Sequence, residues 1–63
     1  MKKNKCAVLY TSSGYPFAVY GKRGGPGIIV EWEWGCEAIR IPMWWAVRFP
    51  DTALHLAVWK AGR

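Results

Sequence analysis

The sequence predicts a single, mostly β domain: a small antiparallel meander or an SH3/OB-like barrel of five to six short strands, with the C-terminal segment either a last strand or a short helix. Three observations carry this reading. Turn-forming clusters recur every several residues, the rhythm of a meander or small barrel. The apolar residues between them alternate at the strand period of two. Five Trp, three Tyr and two Phe in 63 residues supply the bulk that a thin core needs. A chain of this length forms one domain, and it hides only about 60% of the surface that the unfolded chain exposes. Each aromatic ring can bury about 150–250 Å², so a packed core can form without a metal or an oligomer.

The elements follow in order. Residues 1–5, with Lys2, Lys3 and Lys5, form a basic tail expected to fray. Cys6–Tyr10 is a short run of strand formers, broken by Thr11-Ser12-Ser13-Gly14-Tyr15-Pro16. Phe17–Tyr20 resumes it, so the two runs read as a hairpin. Gly21-Lys22-Arg23-Gly24-Gly25-Pro26-Gly27 has four glycines and one proline, a composition for a flexible loop with an exposed basic pair. Ile28–Trp34 is the clearest strand, with Ile28, Val30, Trp32 and Trp34 on one face and Glu31 and Glu33 on the other. Gly35-Cys36 suits a tight turn or bulge. Glu37–Ile41 then sets Ile39 and Ile41 opposite Ala38 and Arg40, and Pro42 ends or kinks it.

Met43–Phe49 alternates once more, with Met43, Trp45, Val47 and Phe49 on one side and Trp44, Ala46 and Arg48 on the other. Residues 53–61 fit two readings. Leu54, Leu56 and Val58 alternate as a strand after a turn at Pro50-Asp51. Alternatively, Asp51 or Thr52 caps a helix that Gly62 stops, with Leu54, Ala57 and Val58 along one stripe. The cleaner alternation favours the strand. The expected core is Val30, Trp32, Ile39, Ile41, Trp45 and Val47.

A formal charge of +5 invites a polyanionic partner. Its distribution argues otherwise: without the three tail lysines, six basic residues face four acids. Cys6 and Cys36 could form one disulfide, but no export signal accompanies them. The apolar run after the basic start ends at Thr11, short of the roughly 7–15 residues of a signal core. No apolar run approaches the ~18 residues of a membrane span. Two reduced thiols in a cytoplasmic protein, away from membranes, are the expectation.

Catalytic chemistry finds few side chains to rest on. His55 is the single histidine and sits between Leu54 and Leu56, a setting more typical of a surface or packed residue. Cys6, Cys36 and His55 lack the paired close spacing of zinc ligands, so no metal or cofactor is expected. The glycine-rich loop is no phosphate cradle either. Arg23 stands where Ser or Thr should follow Lys22, and a strand follows instead of a helix.

Two functions remain. The first is a non-enzymatic protein-binding module, of the kind that inhibits or regulates a larger protein assembly. Trp, Tyr and Arg dominate such interfaces, and here Trp44, Arg40 and Arg48 fall on outward faces, with Lys22 and Arg23 assisting from the loop. The second is a nucleic-acid binder that stacks bases on aromatics beside basic residues. The interleaving of Glu31 and Glu33 with Trp32 and Trp34 weighs against it. By size alone, the chain resembles many stand-alone phage or mobile-element products.

Overall fold

The computed structural model describes residues 4–22 and 26–62. Four strands, β1 (Asn4–Tyr10), β2 (Pro16–Lys22), β3 (Ile28–Trp32) and β4 (Gly35–Ile39), form one open antiparallel sheet in the order β1-β2-β3-β4. Two helices follow, α1 (Met43–Arg48) and α2 (Pro50–Ala61), and both pack on the same face of the sheet. The mostly β meander is therefore present. The barrel is not, and the positions expected for a fifth and a sixth strand are helical.

Sheet register follows from side-chain alternation. Val19 lies opposite Val30, Leu9 opposite Phe17, and Ile28 opposite Ile39, which places all six on the face beneath the helices. Phe17, Val19, Ile28, Val30 and Ile39 are buried there. Lys22 belongs to β2, so the strand runs further than the glycine composition suggested. β1 likewise takes in Asn4 and Lys5 of the expected tail. The rest of that tail and loop residues 23–25, including Arg23, lie outside the described residues.

The β1–β2 connection turns at Gly14, whose φ of 92° favours a residue without Cβ. The β3–β4 turn comes two residues earlier than expected. Glu33 and Trp34 form it, and Gly35-Cys36 opens β4 instead. The Tyr15 hydroxyl accepts the Glu33 amide at 3.2 Å and so ties this turn to the β1–β2 loop. Trp34 consequently leaves the face of Val30 and Trp32 and is 82% exposed.

Met43–Arg48 is helical because Pro42 cannot continue a ladder but can start a helix. Its carbonyl accepts the amides of Trp45 at 3.1 Å and Ala46 at 3.2 Å. Trp45 then meets Phe49 one turn on, with ring centroids 5.0 Å apart. The residue before a proline is pushed out of helical geometry; accordingly Phe49, at φ −129°, breaks the chain into two helices and Pro50 starts α2. The helical alternative for residues 53–61 thus holds over the strand.

The helical period also rearranges the core. Ala46, Ala53 and Ala57 point inward and are fully buried. Val47 turns to solvent at 52% exposure, against the expectation that it packs inside. Val30 and Ile39 are buried as expected, and Trp32 and Ile41 pack against the core at its margin. Trp45 is half-buried, in contact with Phe49.

Candidate functional site

Small residues face the sheet from both helices, so the helix axes can approach it closely. Large apolar residues of the same helices face outward: Trp44 and Val47 on α1, Phe49 at the junction, and Leu56, Val58 and Trp59 on α2. A helix apolar on every side is normally covered on every side. Here α2 buries Ala53 and Ala57 and packs Leu54 against the core, while Leu56, Val58 and Trp59 are left exposed.

Trp44 and Arg48 are both exposed on α1 and stand four residues apart, the spacing at which side chains on a helix surface meet. Strand reasoning had put them on one side as alternate residues; the helix keeps them together for another reason. Arg48 also lies in the last turn, where a positive charge complements the helix dipole.

Arg40 stands elsewhere. It follows β4 and lines an open groove of about 550 Å³ with Tyr20, Ile29, Ala38 and Lys60, and neither Trp44 nor Arg48 reaches this groove. Lys60 is engaged there, since its ammonium donates to the Ala38 carbonyl at 2.8 Å and lies 3.8 Å from the Glu37 carboxylate. The five residues singled out from the sequence are thus divided. Trp44 and Arg48 form one patch and Arg40 lines a separate groove. Lys22 ends β2, and Arg23 is outside the described residues.

The other face of the sheet also carries apolar groups that sequence reasoning passed over. Val8, Tyr10, Tyr20 and Ile29 are exposed across β1, β2 and β3. Their signal was present in β1, where Cys6, Val8 and Tyr10 are as apolar as Ala7 and Leu9. On this face the Tyr20 hydroxyl donates to Glu31 at 2.8 Å. That hydrogen bond, reinforced by the carboxylate's charge, raises the Tyr20 pKa above its usual 10.0.

Cys6 and Cys36 are free and exposed. Cys6 shares a row with Tyr20, Ile29 and Ala38, whereas Cys36 shares one with Glu31 and Ala18. They sit on opposite edge strands, roughly three spacings of about 4.8 Å apart, beyond the ~7 Å Cα limit of a disulfide. Among the described residues, no three His, Cys, Asp or Glu side chains gather as metal ligands. His55 is exposed on α2. No helix among the described residues is long and apolar enough to cross a membrane.

No protein-family model matches the chain, and no curated protein or solved structure matches it either.

Proposed function

We propose that the chain is a non-enzymatic protein-binding module that docks on a larger protein through the outward face of its helices, in the manner of a stoichiometric inhibitor or regulator. The observation that supports this is the inversion of α1 and α2, with alanines against the sheet and Trp44, Val47 and Val58 in solvent. Trp44, 67% exposed, is the anchor, and Arg48 one turn away is its charged neighbour. Arg40 lines a separate groove and stands apart from this patch.

Tryptophan and arginine are the residues whose truncation most often costs an interface about 2 kcal/mol or more, whereas rim lysines contribute little. The test compares wild type, Trp44→Ala and a Lys22→Glu/Arg23→Glu variant for retention of the same partner. The comparison is made after nuclease treatment and at raised salt. Loss on Trp44→Ala with retention by the charge-reversed variant supports the proposal. The opposite ranking, with binding abolished by nuclease, overturns it in favour of nucleic acid.

A further inference from the structure

The two edges of the sheet differ. β4 has five residues, α2 packs chiefly against it, and Lys60 occupies the Ala38 carbonyl. A lysine at a strand edge is a common guard against pairing with another chain. β1 has seven residues and pairs with β2 over all seven without a bulge. From Cys6 to Tyr10 it contains neither proline nor charge.

The direction of its free backbone groups follows from the ladder. The Thr11 amide donates to the Tyr15 carbonyl at 3.0 Å. Hydrogen-bonded pairs alternate along an antiparallel ladder, so the next are Leu9 with Phe17 and Ala7 with Val19. Cys6, Val8 and Tyr10 therefore direct their amides and carbonyls away from β2. Among the described hydrogen bonds, none ends on those groups.

We propose that two copies of the chain pair through β1, antiparallel about a two-fold axis at Val8, and so join their sheets into one. In this register Val8 faces Val8 of the second copy and Cys6 faces Tyr10. All of these residues have outward backbone groups, so each pair exchanges both of its hydrogen bonds. Side chains match as well. The smaller residue of each pair meets the larger, Cys6 with Tyr10 on one face and Ala7 with Leu9 on the other, and no charges are opposed. This self-complementarity selects a second copy over a foreign strand. The inference does not depend on the helical docking surface.

Sedimentation of the full chain over a range of concentrations tests it, and a dimer is expected. Val8→Pro removes an amide that β2 does not use, and proline is tolerated at such edge positions. It should sediment as a folded monomer where wild type is dimeric. Val8→Lys, which places a charge at the axis, should do the same. A third variant, Val8→Cys with Cys6→Ser and Cys36→Ser, keeps the test decisive should the proline disturb folding. Opposite Cβ atoms of a hydrogen-bonded pair stand about 5 Å apart, wider than a direct disulfide spans, so a short bis-thiol cross-linker should link it into a dimer. Ala18→Cys in the same background, on the central strand β2, should stay unlinked. Trp44→Ala should leave the dimer intact. A wild-type monomer at every concentration overturns the proposal. So does a dimer that survives both Val8→Pro and Val8→Lys, or equal linking through Ala18→Cys.

Discussion

The Asp51 carboxylate accepts two hydrogen bonds from Ser12, one from the amide and one from the hydroxyl, each at 2.7 Å. The two residues are 39 apart in sequence, and the pair fastens the β1–β2 loop to the start of α2. Asp51 lies in the first helical turn, where the helix dipole also favours its negative charge. Lys60 holds the other end of the same helix to β4.

Asp51→Ala removes both hydrogen bonds and the favourable end charge. Because the site is solvent-exposed, the expected loss is modest, about 1–2 kcal/mol. Ser12→Ala, which keeps the amide bond, should lose less. Urea unfolding of the two variants beside wild type measures both, and a ranking of Ser12→Ala as the worse variant would contradict the geometry.

Gly27 has no room for a side chain. A Cβ there would stand 2.9 Å from the Ile39 carbonyl oxygen, a backbone atom held by the pairing of Ile28 with Ile39. Gly27→Ala should therefore destabilise by about 1–3 kcal/mol, the usual effect of forcing atoms into a filled space. Gly35 differs: a Cβ would meet the Trp32 ring at 3.7 Å, an ordinary contact. Gly35→Ala should melt close to wild type, and equal losses at the two positions would show that packing is not the cause.

The inward alanines of α2 set a third expectation. Ala57 is fully buried, so Ala57→Leu should overpack the layer and cost about 1–3 kcal/mol. Val58→Ala, one residue on but facing solvent, should stay within about 0.5 kcal/mol of wild type. Chemical denaturation separates the two. If Val58→Ala proved the more damaging, the helix would be rotated from the orientation described.

Tyr20 provides a pH signature. Its folded pKa is raised because the neutral hydroxyl donates to Glu31 and the nearby carboxylate disfavours a second negative charge. A raised folded value means that the contribution to stability is fully present below the unfolded pKa of 10.0. It is lost as pH climbs through the higher folded value. Tyrosine-resolved NMR titration should find Tyr20 ionising above 10.0, with Glu31→Gln bringing it down. A Tyr20 value unmoved by Glu31→Gln would rule out the carboxylate as its cause.

The strands were legible where alternation and burial agree. Val30 and Ile39 sit on the inner face as the period of two requires. Alternation misleads from Met43 to Phe49, because a run apolar at nearly every position satisfies a strand and a buried helix equally. Three local effects decide it: the Pro42 carbonyl starting a helix, the contact of Trp45 with Phe49, and Pro50 forcing the break. Only the first and last have a mark in the sequence. Trp44 and Arg48 stayed together because residues four apart share a side under both periods, at least approximately. Arg40 did not, since it lies on another element. Nothing local could have paired Ser12 with Asp51.

The chain order of the sheet has a kinetic consequence. Each strand pairs with its sequence neighbour, so the sheet can zip from successive hairpins with little loop-closure entropy, and quick folding is expected. During synthesis β1 emerges first and α2 last. Until α1 and α2 follow, Phe17, Val19 and Val30 lack the cover that Ala46, Ala53 and Ala57 provide. The nascent sheet thus passes through a stage with both of its sides bare, which ends when the two helices dock.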